Sequence, residues 1–114
     1  MEESKLKNLI DLNISIIISE SMNDSSMMEN YEEMKQTYKT TPVLTKFERC
    51  RVLGERSAQI MSGSSPFIEN PERYQSPYEI AQAELLEGKI PFIIKRPYGN
   101  KIEYWKLKDL KVRS

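Results

Sequence analysis

Small and apolar residues recur at three- and four-residue steps between residues 45 and 62. They are Phe47, Cys50, Gly54, Ser57 or Ala58, and Met61. This spacing predicts one face of a helix, with Thr45 and Glu48 forming a capping box at its start and Ser62-Gly63 a cap at its end. Because a glycine inside a helix costs about 1 kcal/mol relative to alanine, Gly54 predicts the close approach of another backbone, either that of a second helix or that of a partner.

A second helix is predicted from residue 76 onward. Ser76 supplies an N-cap, Pro77 occupies the first helical position and Glu79 the third, which together form the strongest helix-start signal in the chain. The predicted apolar side consists of Tyr78, Ile80, Ala81 and Leu85. Gly88 is placed to end the helix.

The C-terminal part predicts two strands. Residues 90–94 form a short β-branched run in which Pro91 indicates an edge or a strand start. Residues 96–100 predict a turn, and residues 102–107 the return strand. The fold class expected for residues 42–114 is therefore α+β, with two helices and a C-terminal β-hairpin.

Residues 1–41 are polar and weakly patterned. A helical stripe fits Leu6, Leu9, Ile10, Ile16 and Ile17, with Asn13 as one polar interruption, whereas a strand alternation fits Leu12, Ile14, Ile16 and Ile18. Periodicity alone does not decide between a helix and a strand for this segment. Residues 19–41 carry Ser, Asn, Glu and Met without a sustained apolar period. We therefore expect an acidic, flexible tail that ends at Thr41-Pro42.

Charge separates this tail from the rest of the chain. The 114 residues have a net charge of zero, but residues 1–41 carry −4 and the remainder +4. This asymmetry indicates steering toward a basic partner. A recognition segment is predicted where apolar and acidic groups alternate, at Met28, Tyr31, Glu32 and Glu33. Ser21 and Ser26 each precede an acid by three residues, a spacing that resembles acidophilic kinase sites.

Composition argues against an enzyme. The chain has no histidine and one cysteine, so a Ser–His or Cys–His pair, an internal disulfide and an ordinary zinc site are all excluded. Scattered single glycines give no phosphate loop. We expect no cofactor and no catalytic residue. The lone cysteine suits a reducing intracellular compartment, and neither a membrane-spanning run nor a signal-peptide layout is expected.

The helix-borne arginines are candidates for binding a macromolecule. A pI near 6.4 and interspersed acids disfavour direct nucleic-acid binding. We expect instead that Arg51 and Arg56 form forked hydrogen bonds to a partner protein, with Gln59 adding an amide contact. Cys50 is expected to be a small buried residue. Trp105 is expected to pack in the core or on the hairpin, with an interface anchor as the alternative.

The pattern T-x-F-E-x-C-R-x-L-G-x-R-S-x-Q, residues 45–59, resembles the signature helix of the small RNA polymerase subunit shared by the nuclear enzymes. Its relatives are archaeal subunit K and, more distantly, bacterial omega. A second block, in residues 76–91, is similar to the family's second helix and following strand. Cys50 stands where the family usually has Ala or Thr, a small-for-small change. The resemblance covers Thr45 to about Leu110.

This resemblance implies a non-catalytic subunit that clasps the largest polymerase subunit and aids assembly, touching DNA only through the complex. The residues expected at that contact are Phe47, Glu48, Arg51, Gly54, Arg56, Gln59, Ile80 and Glu84. A free-standing adaptor whose acidic tail recruits a basic partner, such as an initiation factor, is the alternative. The long acidic extension suits polymerases of eukaryotes and large DNA viruses, which leaves open the nucleus, a cytoplasmic viral factory and a virion.

Overall fold

The computed structural model of the chain describes residues 16–19 and 30–113. It confirms the predicted α+β class, with two principal helices and a C-terminal hairpin. The helices are α1 (Tyr31–Lys35), α2 (Lys46–Met61) and α3 (Pro77–Leu86), and the strands are β1 (Ile16–Ser19), β2 (Phe92–Tyr98) and β3 (Lys101–Lys106). Short 3-10 turns occupy Pro71–Arg73 and Leu107–Asp109.

The predicted capping box starts α2. The Glu48 amide donates to Thr45 Oγ1 at 3.1 Å, and the Thr45 amide donates to Glu48 Oε1 at 3.0 Å. The helix ends at Met61 with Ser62 as its C-cap, and the following Gly63 has a φ of 109°, a conformation that side chains disfavour. Both ends of α2 therefore follow from local sequence.

The second helix, α3, also begins where its cap predicts. The Glu79 amide donates to Ser76 Oγ at 3.2 Å, with Pro77 as the first helical residue. Its buried side faces α2 and consists of Ile80, Ala81, Glu84 and Leu85. Tyr78, predicted on that apolar side, is instead 48% exposed.

The hairpin is longer than its apolar run predicted. Arg96 and Pro97 continue β2, opposite Glu103 and Ile102 of β3, so the turn shrinks to residues 99–100. Pro97 is tolerated because the described part of β1 ends its pairing with β2 at Lys95, and its missing N–H removes no bond there.

The strand β1 pairs antiparallel with β2 and gives a three-stranded sheet of order β1-β2-β3. For residues 16–19 the ambiguous isoleucine run is therefore a strand. The other positions of the helical and strand patterns, residues 6–15, lie outside the described residues.

Residues 30–41 differ from the expected flexible tail, because the structure joins them to the body of the domain. Tyr31 is 4% exposed, and the Tyr38 ring meets the Trp105 ring edge-on at a centroid distance of 5.1 Å. The segment then leads into Pro42–Leu44, which pairs with Lys111 near the C-terminus. The predicted boundary at residue 42 thus lies within continuous packing.

The main core lies between the two long helices and one face of the β-sheet. Its buried residues are Leu44, Val52, Leu53, Ala81, Leu85, Ile90, Phe92, Ile94, Trp105, Leu107 and Leu110. Trp105 is 5% exposed, which confirms its predicted core role. Within the described residues, no helix has the length and apolar character needed to cross a membrane.

Candidate partner-binding site

One side of α2 is open to solvent along the whole helix. We call it the outer face of α2 and define it by Phe47, Cys50, Gly54, Ala58 and Met61, all of which are exposed. Phe47 is 48% and Met61 75% exposed. A Cβ placed on Gly54 would meet no atom within 4 Å. The residues of the predicted pattern do share one side of the helix. At its centre, however, this side packs against no described residue.

Two sequence predictions about this face are corrected by its exposure. Cys50 is exposed rather than buried, and Gly54 does not bring α2 close to α3. The buried side of the helix is instead formed by Glu48, Val52, Leu53 and Arg56. Apolar periodicity missed that side because two of its four residues are charged.

Arg56 is 2% exposed and reaches across to the fully buried Glu84 of α3. Its Nε lies 2.5 Å from Glu84 Oε1, and one terminal nitrogen lies 3.0 Å from Oε2. This forked pair supplies both charge and geometric specificity. The two helices that carry the family resemblance are therefore joined to each other through a buried salt bridge.

Two further donors of Arg56 also bond within the chain. Its guanidinium donates to Gln59 Oε1 at 3.1 Å and to the Ser65 carbonyl at 3.0 Å. The Phe67 ring lies over it at 4.5 Å, and the Phe67 amide donates to Glu84 Oε2 at 2.7 Å. This cluster fixes the loop after α2 as well as the helix pair.

A second buried arginine joins α2 to the sheet. Arg96 of β2 forks onto Glu48, with nitrogen–oxygen distances of 2.8 and 2.7 Å. It also donates to the carbonyls of Thr41 and Val43 at 2.6 and 2.9 Å. Glu48 is thus both the capping-box residue and the ion-pair partner of the sheet. Local pattern placed Arg96 in a predicted turn, whereas the structure places it in β2 opposite Glu103.

The eight predicted contact residues divide into two groups. Phe47 and Gly54 are exposed, and Arg51 and Gln59 are partly exposed, with the Arg51 guanidinium 6.0 Å from the Phe47 ring centroid. The other four are buried within the chain: Glu48, Arg56, Ile80 and Glu84. For the three charged ones the structure supplies internal partners, so a direct contact with another protein stays a prediction for all eight.

Sequence reasoning also missed a polar cluster at Glu103, which is 5% exposed. Glu103 accepts hydrogen bonds from the Lys39 amide at 2.7 Å and from the Thr40 hydroxyl at 2.5 Å. The same hydroxyl accepts from Trp105 Nε1 at 3.0 Å and from Arg96 at 3.2 Å. Burial alone would raise the pKa of Glu103, but the hydrogen bonds outweigh it and lower that pKa below its ordinary value.

The predicted tail-recognition residues are placed differently from one another. Glu32 and Glu33 are exposed on α1, whereas Tyr31 is buried and donates to Asp109 Oδ2 at 2.6 Å. Burial and this hydrogen bond raise the pKa of Tyr31. Met28 and the two candidate phosphosites, Ser21 and Ser26, lie outside the described residues. No His/Cys/Asp/Glu group suited to a metal ion occurs within residues 16–19 and 30–113.

The described residues thus form a small α+β domain whose two long helices are joined by a buried salt bridge and whose outer face of α2 is open to solvent. The family model described as RNA polymerase Rpb6 matches residues 38–92. An archaeal relative from Thermofilum pendens, DNA-directed RNA polymerase subunit Rpo6, is 42% identical over 74 residues, which is 63% of this chain and 90% of that protein. The chain belongs to the RNA polymerase Rpb6 family.

Two fungal relatives extend this finding. The RPABC2 subunit of DNA-directed RNA polymerases I, II and III from Saccharomyces cerevisiae is 44% identical over 73 residues, covering 62% of this chain and 46% of that protein. Its Schizosaccharomyces pombe counterpart is 35% identical over 97 residues, covering 82% of this chain and 67% of that protein. The chain thus spans about half to two thirds of the length of these eukaryotic relatives. These matches confirm the family resemblance carried by the two sequence blocks.

Proposed function

We propose that this chain is a non-catalytic subunit of a DNA-directed RNA polymerase that clasps the largest subunit and supports assembly and stability of the enzyme. Support comes from family membership and from relatives whose names are those of polymerase subunits in fungi, a plant and an archaeon. Because the same relatives are polymerase subunits rather than free adaptors, they favour this function over the adaptor alternative.

The observation that carries the proposal is the outer face of α2. Small residues at its centre, Cys50, Gly54 and Ala58, allow a backbone to come close, while Phe47 and Met61 at its ends expose large apolar surface. Full burial of such a side chain contributes about 1.5–3 kcal/mol. A partner segment lying along α2 would therefore gain apolar burial at both ends without a steric obstacle between them.

The structure suggests separate roles for the predicted contact residues. Phe47, Gly54, Arg51 and Gln59 are accessible and form the proposed contact with the largest subunit. The four buried residues, Glu48, Arg56, Ile80 and Glu84, hold α2 against α3 and the sheet. Arg56 then acts indirectly, by fixing α2 and with it the outer face of α2. Arg51 supplies the guanidinium that forms forked hydrogen bonds to the partner.

We further propose that the acidic N-terminal residues contact a basic initiation factor, and that phosphorylation at Ser21 or Ser26 strengthens this contact by adding about −1.5 to −2 charge. The eukaryotic relatives favour the nucleus as the location. The viral factory and the virion are the alternative locations suggested by the acidic extension.

The proposed docking is tested by purifying the tagged chain from its own cells at raised salt and identifying its partners by mass spectrometry. We expect one copy per largest subunit. Gly54→Leu should reduce this recovery at least about tenfold, because its side chain enters the space left for a partner backbone, an overpacking effect worth about 1–3 kcal/mol.

Glu55→Leu is the matched control. It adds the same side chain at an exposed position of the same helix but at the border of the outer face, so recovery should stay near that of the unaltered chain. Full recovery of the largest subunit with Gly54→Leu would refute docking through the outer face of α2. Absence of any polymerase subunit from the purified unaltered chain would refute the proposed function itself.

A further inference from the structure

The outward edge of β3 is closed by side chains rather than by a neighbouring strand. β3 is the last strand of the described sheet, and in an antiparallel pair every second N–H points away from the partner. The outward amides of Tyr104 and Lys106 donate to the hydroxyls of Tyr38 and Tyr31, at 3.2 and 3.1 Å. Two tyrosines from the preceding segment thus cap the edge that would otherwise pair with another strand.

Both tyrosine rings are anchored so that their hydroxyls stay at the edge. Tyr31 is 4% exposed, and the amines of Lys35 and Lys106 each lie 5.2 Å from its ring centroid. Its hydroxyl also donates to Asp109 at 2.6 Å. Tyr38 packs edge-on against the buried Trp105. Each hydroxyl is therefore held by packing that does not depend on the hydrogen bond to β3.

An uncapped β3 would suit pairing with a second copy of itself. Open edge strands recruit other strands through their unpaired N–H and C=O groups, and a two-fold contact needs a self-complementary row. A two-fold axis at Tyr104 would place Ile102 opposite Lys106, which brings no like charges face to face. Ile102, at the hairpin end of β3, is 45% exposed and adds apolar surface to such a contact.

We propose that Tyr31 and Tyr38 are edge guards, whose capping of Tyr104 and Lys106 keeps β3 from pairing with β3 of a second copy. The guard acts whenever the chain is outside a larger assembly, and it does not depend on which partner the outer face of α2 binds. Residues 31–38, for which composition predicts a solvated tail, thus serve to protect the edge of the sheet.

Hydrogen exchange measured by NMR on the full chain tests the caps one at a time. Tyr31→Phe should speed exchange of the Lys106 amide at least about tenfold while leaving the Tyr104 amide unchanged, and Tyr38→Phe should do the reverse, since each variant removes one acceptor and keeps the ring. Tyr78→Phe is the control, because the exposed Tyr78 hydroxyl bonds to no residue among those the structure describes. Unchanged exchange at both amides in the respective variants would overturn the proposal.

Sedimentation of the full chain over a concentration series tests the consequence. Tyr31→Ala/Tyr38→Ala should form dimers or larger species at concentrations where the unaltered chain and Tyr78→Phe stay monomeric. Adding Tyr104→Pro should restore the monomer, because it removes the outward N–H at the centre of the edge and no bond to β2.

The proposal would be refuted if folded Tyr31→Ala/Tyr38→Ala stayed monomeric, or if its association persisted after Tyr104→Pro was added. If the alanine pair loses its structure by circular dichroism, sedimentation of Tyr31→Phe/Tyr38→Phe decides the proposal, because this variant keeps both rings and removes both acceptor oxygens: self-association supports the proposal and a monomer at every concentration refutes it.

Discussion

The buried pair of Arg56 and Glu84 offers the sharpest test of how this domain holds its helices. We consider Arg56→Met, which keeps a side chain of similar reach and removes the charge. The substitution leaves the Glu84 carboxylate, which is 0% exposed, with the Phe67 amide at 2.7 Å as the donor that still reaches it among the described residues. An uncompensated buried charge is the main physical consequence.

Breaking a buried ion pair from one side costs about 3–5 kcal/mol. That is a large share of the 5–15 kcal/mol by which a typical domain is stable. Replacing both partners by apolar residues, as in Arg56→Met/Glu84→Leu, should recover about 2 kcal/mol or more, because no buried charge remains. The stability of Arg56→Lys should lie between that of the unaltered chain and that of Arg56→Met, since lysine keeps the charge but lacks the planar fork.

Urea unfolding followed by tryptophan fluorescence measures these differences. Trp105 is the single tryptophan and is buried, so its emission reports on the core. With a urea dependence of about 2 kcal/mol per molar, Arg56→Met should lower the unfolding midpoint by about 1.5–2.5 M. Glu32→Gln, which breaks the exposed pair with Lys35, is the control and should leave the midpoint close to that of the unaltered chain, because exposed ion pairs contribute little to stability.

Two results would refute this reasoning. A loss below about 1 kcal/mol for Arg56→Met would mean that the pair is solvated as surface pairs are. A double variant less stable than Arg56→Met would mean that the carboxylate itself, through its bond with the Phe67 amide, carries the stabilisation instead of the ion pair.

The remaining predictions concern the cluster at Glu103. Because the folded pKa of Glu103 lies below its ordinary value of 4.5, its contribution to stability should be present above that value and be lost as pH falls through the lowered pKa; Glu103→Gln should flatten this acid-side loss in urea midpoints taken from pH 6 to pH 3, and an unchanged slope would contradict it. Thr40→Val removes the hydroxyl shared by Glu103, Trp105 and Arg96 and should cost about 1–3 kcal/mol. Thr37→Val, whose hydroxyl is exposed and bonds within its own turn, should cost less than half as much, and equal losses would show that the shared hydroxyl has no special role.

Local sequence determined the ends of both long helices. The capping box at Thr45, the Ser76-Pro77 start and the glycines at 63 and 88 act over three or four residues, so their geometry needs no tertiary information. Long-range pairing, in contrast, set the length of β2. The sequence pattern predicts a turn at Arg96 and Pro97. In the structure Arg96 belongs to β2, and its guanidinium bonds to Glu48 of α2, which lies 48 residues earlier in the chain.

The candidate site shows the same division. Three- and four-residue periodicity found the outer face of α2 correctly, yet it could not say whether that face is inside or outside the domain. The answer depended on Glu48 and Arg56, whose charges suggest solvent but whose partners, Arg96 and Glu84, are supplied only by the fold. A buried charge is stable when a partner compensates it, and a partner distant in the chain leaves no local signal.

The sequence by itself determined the family, the class of fold and the helix boundaries, because these rest on residue types at short spacings. Tertiary structure alone decided that residues 31–41 pack against the hairpin and that Tyr31 and Tyr38 cap β3. A polar, acidic segment predicts a solvated tail by composition. Two aromatic rings with hydroxyls of the right reach nevertheless attach it, because β3 presents outward amides that need acceptors.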